Sequence, residues 1–345
     1  MNSTNKSWFK NMDFSFQTSK KFLFVFSFLI LLNLLVLVVS IGVGEYQISY
    51  LDVIKTILNV GSTDYDFIVN TLRLPRTLIA FLAGLGLAMS GSILQSVTRN
   101  SLASPSVIGL NAGASLAAVT LIVLFPTLSI FFLPFIAFLG ALITGGFVYF
   151  LALKQGSSPV RLILVGVGIS SIAQALITIL MTFGHINLVG QATIWMTGSV
   201  YGKSWEYFWP VLPWMIVLIP VTLLQTRHLN ILRLSDEFAS GVGIRVELHR
   251  WLLIITAIAL AGASVAAAGT INFVGLMAPH MARRLVGASF APLVLVAALI
   301  GGLLVMLADL LGRIILSPIE IPCGIITAII GTPYLIYLLL REKDN

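Results

Sequence analysis

Ten apolar runs follow one another through this chain, at about 22–44, 74–97, 106–125, 128–153, 160–183, 207–226, 251–270, 275–287, 291–312 and 321–340. A helix of about 20 residues, rising about 1.5 Å per residue, covers the roughly 30 Å hydrocarbon layer of a bilayer. Inside that layer every backbone N–H and C=O must be bonded within the protein, so runs of this kind cross as helices. An all-α polytopic membrane protein of about ten spans is expected. Composition agrees, with 58% of the 345 residues hydrophobic and 10% charged, against about 25% charged in soluble domains. The run at 275–287 is too short for a full span. It reads as a broken or partly buried helix that other protein segments must enclose.

Charge placement sets the orientation. Ten spans put both termini on one side, and all but five of the 20 Lys and Arg residues then share that side. The exceptions are Lys55, Arg73, Arg76, Lys203 and Arg313. An odd number of spans scatters the positives, so both termini are expected in the cytoplasm. The expected layout is a polar cytoplasmic segment at 1–21, one membrane domain at 22–340 and a cytoplasmic tail at 341–345. No small-residue cleavage site follows the first run closely, so it reads as an anchor rather than a removed signal peptide. The net charge of +7 follows topology and is not a nucleic-acid signal. The single cysteine, Cys323, excludes a disulfide framework.

One long polar interruption breaks the apolar pattern, RHLNILRLSDEFASGVGIRVELHR at 227–250. Ser235 is placed to cap a short helix with Asp236 and Glu237 in its first turn, and Gly241 and Gly243 end it. A short helix held on the cytoplasmic side suggests that a soluble partner pushes or pulls on the bundle.

Other segments carry weaker signals. Arg73 and Arg76, three residues apart at a helix start, share a face. They either snorkel to the lipid interface or, with Arg313, offer bidentate anchors to an acidic protein. Asp309 is the only carboxylate well inside an expected span. Its i+4 neighbour is Arg313, which makes a local helix ion pair the simpler account. Asn100, Ser104 and Pro105 give the 90–117 link turn chemistry. His280 has no second ligand at metal spacing; the adjacent Pro279, which lacks a backbone donor, predicts a helix break there. Small residues at 83–91, 166–170 and 261–269 predict close helix packing. No G-x-x-x-x-G-K-[ST], H-E-x-x-H or G-x-S-x-G occurs, so neither nucleotide binding nor intramembrane hydrolysis is indicated. No cofactor or metal is expected in the chain.

Taken together, RLPRTLIAFLAGLGLAMSG, QSVTRNSLASPSVIGLNAGA, SDEFASGVGI, GTINFVGLMAPHMARRLVG and ADLLGR…EIPCGIITAIIGTPYLIYLLLR resemble the FecCD-like permease subunits of bacterial ATP-driven importers. Those importers carry iron–siderophore complexes, haem or vitamin B12. The resemblance runs from about Ile41 to Arg341. It implies a vitamin B12 importer permease-like bundle in the bacterial cytoplasmic membrane, whose ATP is hydrolysed by partner subunits. It implies docking of an extracytoplasmic substrate-binding protein on Arg73, Arg76 and Arg313. It also implies coupling to the ATPase through Ser235, Asp236, Glu237, Ala239, Gly241 and Gly243. Asn100 and Leu102 match a cytoplasmic gate, although the family's usual Asn-Pro-Leu reads Asn-Ser-Leu here.

The partners so implied are a second permease, identical or homologous, two ATPase subunits, the binding protein and surrounding lipid. The cargo implied first is an iron(III)–siderophore complex, with haem or vitamin B12 as the alternative. A bulky cargo calls for a wide, weakly polar pathway at the dimer interface with few charged residues. The rival readings are an ion-coupled secondary transporter, for which Asp309 is the only carboxylate in place, a membrane enzyme lacking a catalytic constellation, and a channel-like subunit that leaves SDEFASGVGI without a role.

Overall fold

Each of the ten apolar runs lies on a helix in the computed structural model, which describes residues 20–44, 46–60, 64–153, 159–233 and 235–342. Most of the expected N-terminal segment and the last three residues of the tail lie outside the described residues, as do Glu45 and Lys154. In chain order the helices are α1 (Lys20–Gly42), α2 (Tyr50–Ile57), α3 (Leu74–Thr98), α4 (Leu110–Leu124), α5 (Leu133–Leu153), α6 (Pro159–Phe183) and α7 (Ile186–Thr197). They continue with α8 (Trp205–Leu224), α9 (Thr226–Leu232), α10 (Asp236–Gly241), α11 (Val246–Ala268), α12 (Val274–Val286), α13 (Phe290–Ile314) and α14 (Cys323–Glu342). A π-helical turn, Phe67–Arg73, runs directly into α3.

Eight helices among the described residues are long and apolar enough to cross a membrane: α1, α3 with its π turn, α5, α6, α8, α11, α13 and α14. The expected runs at 106–125 and 275–287 fall on the shorter α4 and α12.

Helices α3, α11 and α13 form the centre. In α3 and α11, 83% of the apolar span is buried within the protein, against 22% in α1 and α6. Lipid tails are as apolar as leucine, so close backbone approach rather than hydrophobic burial must hold such a centre together. Glycine supplies that approach. A Cβ at Gly84 of α3 would overlap the carbonyl of Gly301 on α13, and a Cβ at Gly91 would overlap the carbonyl of Gly275 on α12. The small-residue segments at 83–91 and 261–269 are thus buried contact faces. The 166–170 segment packs more openly: Gly166 sits against the Ile108 backbone, whereas Gly168 has nothing near it.

Pro279 does not break its helix, contrary to the sequence expectation. Helix α12 runs through it from Val274 to Val286, and the break lies upstream, between Gly269 (φ +71°) and Phe273 (φ +67°). The donor that proline lacks would have bonded the carbonyl of Gly275, four residues back. That carbonyl instead faces Gly91, where a side chain would have excluded it.

Helix α7 was not anticipated. Its twelve residues end at Gly198, where three helix termini meet. Ser199 N–H donates to Ala268 C=O at 2.8 Å, closing the end of α11, and Gly324 N–H donates to Gly198 C=O at 3.0 Å at the start of α14. The Thr270 hydroxyl donates to the Met196 carbonyl. Interrupted backbone deep within a bundle is thereby satisfied by its neighbours, as a membrane interior demands.

Candidate functional site

The two ends of the bundle carry most of its charge. At one end, α10 has the cap that its sequence predicts: Phe238 N–H donates to Ser235 Oγ at 2.9 Å. Ala239 is fully buried beneath it, and Glu237 points outward. The helix ends at Gly241, and Gly243 takes a left-handed conformation, φ +81°, that favours glycine.

Asp236 does more than the sequence indicated. Arg250 of α11 donates to both its carboxylate oxygens at 2.8 Å, and Arg99 donates to Oδ1 at 2.5 Å. Arg99 is the left-handed residue (φ +51°) that terminates α3, and its guanidinium also holds the Leu232 carbonyl of α9. One carboxylate therefore ties α10 to the ends of α3 and α11. Burial alone would raise the Asp236 carboxyl, but the hydrogen bonds and charges of Arg250 and Arg99 outweigh it and hold the group below its usual range. Next to this clamp His228 of α9 stacks on His249 of α11, ring centroids 3.8 Å apart. The turn that follows α3 is also built at this end: Leu102 N–H donates to Asn100 Oδ1 at 2.8 Å, an Asx turn.

At the opposite end Arg73, Arg76 and Arg313 line one pocket of about 420 Å³, together with Lys203, Tyr201 and Glu320. The sequence anticipated that grouping, but not that all three guanidinium groups are engaged inside the fold. Arg73 donates to the carbonyls of Ile41, Gly42 and Tyr46. Arg313 donates to Ser40 Oγ at 2.6 Å and to the Ser40 carbonyl at 2.9 Å. Arg76 Nε lies 3.1 and 3.2 Å from the two oxygens of Asp309, and its Nη2 lies 2.7 Å from Oδ1. The same guanidinium reaches Glu320 through Nη1 at 3.2 Å and Nη2 at 2.7 Å.

The expected Asp309–Arg313 pair is present at 3.3 Å. It is the lesser half of a network whose shorter contact comes from Arg76, 233 positions away in sequence. Lys203 is bound differently, with its ammonium 3.8 Å from the centroid of the Tyr207 ring, within cation–π range. Burial pushes it down to about 8.

Between the ends, α4, α6 and the 270–272 link border a cleft of about 760 Å³. Its lining includes Asn111, Ser115, Ser171, Gln174, Thr178 and Asn272, and no charged residue. Asn111 Nδ2 donates to Asn272 Oδ1 at 3.1 Å, while its own Oδ1, buried, has no hydrogen-bond partner. Gln174 stands exposed within the α6 span. An amide there cannot face lipid without a large desolvation cost, so this side of α6 adjoins water or another protein surface. No cluster of His, Cys, Asp and Glu among the described residues has the make-up of a metal site.

Comparison with solved structures fixes the class. With 30% sequence identity and a TM-score of 0.82, 92% of this chain matches 99% of a chain from a metal-chelate type ABC transporter in an inward-facing conformation. The molecule is a transport permease of the ATP-binding-cassette importer type, an integral membrane protein whose ATP-hydrolysing and substrate-binding functions lie in partner proteins. More narrowly, the chain belongs to the FecCD transport family, whose profile matches residues 30–341. Among its curated relatives is the Fe(3+)-citrate import system permease protein YfmE of Bacillus subtilis, 42% identical over 303 residues, covering 87% of this chain and 90% of the relative. The iron(3+)-hydroxamate import system permease protein FhuG of the same organism is 41% identical over 308 residues, covering 87% and 92%.

Proposed function

We propose that this chain is the membrane half-channel of an ATP-driven importer that carries iron(III)–siderophore complexes across the bacterial cytoplasmic membrane. The cargo class follows the names of the relatives, which act on hydroxamate and citrate complexes of iron. The orientation follows charge: both termini and α10 lie in the cytoplasm, and the Arg76 pocket faces outward. Two bundles enclose the pathway, and the uncharged cleft beside α6 forms its wall. Gln174 and Asn111 supply hydrogen-bonding groups that a hydrated cargo can use and lipid cannot. Asn100 and Leu102, in the turn after α3, narrow its cytoplasmic end.

The observation that carries this reading is the Asp236 clamp. A six-residue helix with an outward Glu237 and a buried Ala239 is joined by one carboxylate to the ends of two central helices. A push on Ser235–Gly243 by one of two ATPase subunits thus reaches α3 and α11 directly. ATP binding and hydrolysis move α10, and the bundles shift as rigid bodies between outward and inward access. At the outer face the binding protein docks on the pocket of Arg73, Arg76 and Arg313.

Reconstitution with the ATPase and binding protein in liposomes tests this. Radioiron supplied as a ferric trihydroxamate or ferric citrate complex should accumulate only when ATP and all components are present. Accumulation without the ATPase, or none with the complete set for any ferric chelate, overturns it.

A further inference from the structure

The outer pocket holds four cations, Arg73, Arg76, Lys203 and Arg313, against two carboxylates, Glu320 on the rim and Asp309 beneath. An acidic partner fits that surplus. Yet Arg76, at the centre of the network, is not available to such a partner as it stands. All three of its guanidinium nitrogens are hydrogen-bonded to carboxylate oxygens, two through Glu320 and two through Asp309. A further carboxylate can bind it bidentately only by replacing one that is already there.

The two carboxylates are not equally replaceable. Asp309 sits within α13 with 4% of its side chain exposed and is held by Arg313 as well. Glu320 is 29% exposed, lies on the 315–322 link, and among the described residues forms its ion pair with Arg76 alone. The Tyr201 ring flanks the same guanidinium, with Cζ 5.6 Å from its centroid. The planar fork is therefore held in place whichever carboxylate fills the rim position.

We propose that Glu320 is an internal occupant of the docking site, which an acidic side chain of the binding protein displaces from Arg76 when it docks. This rests on the docking role assigned to the pocket. Glu320 sets the affinity of the receptor by competition: the same charge-assisted bonds are broken and remade, so the net gain on docking is small and the complex releases readily. The displaced carboxylate stays within the basic pocket, near Lys203. The exchange also bears on α14. Ile321 N–H donates to the Gly312 carbonyl at 2.9 Å, and Cys323 opens α14 against Gly198. Glu320 thus pins the link that leads into α14 from the side where the receptor arrives.

The test uses the assembled transporter in nanodiscs and two probes: its own purified binding protein and poly-L-glutamate. Glu320→Gln keeps the side chain's shape and removes its charge. Both probes should bind the variant about tenfold more tightly, which corresponds to about 1.4 kcal/mol, through a slower off-rate. Unchanged or weaker binding to E320Q, while Arg76→Ala abolishes binding, overturns the competition and leaves docking intact. If neither Arg73→Ala nor Arg76→Ala affects binding, the docking role itself fails, and this inference with it. Cys323, 1% exposed, should stay closed to maleimide in E320Q. Rapid labelling would mean that α14 had come loose, in which case Glu320→Asp, which keeps the charge, must restore protection and wild-type affinity for the competition to stand.

Discussion

Replacing Asp236 by Asn preserves the side chain's size and removes the charge that joins α10 to α3 and α11. The carboxylate accepts from Arg250 twice at 2.8 Å and from Arg99 at 2.5 Å. Its side chain is 47% exposed, so a surface ion pair with Arg99, itself well exposed, is worth only about 0–1 kcal/mol. Arg250 is different, at 8% exposure. Weakening this contact leaves a buried guanidinium with the pair to Glu247 at 3.1 Å among its remaining interactions, and a hydrogen bond to a charged group contributes about 1.5–3 kcal/mol. After discounting for solvent, about 1–3 kcal/mol remains, which makes separation of α10 from the bundle roughly 5–150 times more frequent.

Hydrogen exchange should therefore accelerate in residues 236–241, and iron transported per ATP hydrolysed should fall several-fold while the ATPase remains bound. The pH dependence has a definite sign. A carboxyl held low in the folded chain contributes stability above its ordinary value of 3.8 and loses it as pH falls through the depressed value. Exchange in α10 of the unmodified protein should rise below about pH 3.8, and in the Asn variant that step should be absent. Equal exchange and equal coupling in the two proteins would refute the clamp.

Ser235→Ala removes the bond to Phe238 N–H and should weaken α10 by about 1 kcal/mol, seen as faster exchange at Phe238 in particular. Gly84→Ala forces a methyl into the Gly301 carbonyl; overpacking of this kind costs about 1–3 kcal/mol and should lower the midpoint of thermal unfolding in detergent. Arg73→Glu combined with Arg76→Glu should abolish receptor docking and uptake while the ATPase co-purifies as before; docking retained in the double variant would remove the outer pocket from the mechanism.

Much of this was legible in the chain because it depends on local pattern. Each apolar run is a helix, the Ser235 cap sits where Ser-Asp-Glu places it, and α12 is short because 275–287 is short. What was not legible depends on residues far apart in sequence. Asp309 and Arg313 announce themselves at i+4, but Arg76 meets Asp309 across 233 positions, and nothing in local spacing specifies that. Glu320 drew no reading of its own from the sequence, and Arg99 and Arg250 counted only as cytoplasmic positives, until the fold brought each to a partner. Helix α7 was missed because its sequence, INLVGQATIWMT, mixes polar and apolar residues without the length of a span. Pro279 misled because its missing donor is harmless when the carbonyl it would have bonded is turned against a glycine. The cleft beside α6 had no motif at all. Its polar residues are scattered over three segments, and only Gln174, an amide in an apolar helix, could have signalled it.

Helix α3 carries Arg76 in its first turn, and Arg99 caps its far end. Those 23 residue steps at about 1.5 Å each set the Arg76 network and the Asp236 clamp, the proposed landing place of the receptor and the proposed entry point of the motor's push, about 35 Å apart on one continuous rod. Carbonyls seated on glycines along its length leave that rod little freedom to slip past its neighbours. Any preference the rod shows for one tilt is consequently felt at both membrane faces together. By reciprocity, whatever a bound receptor does to nucleotide affinity below, nucleotide must do in equal measure to receptor affinity above.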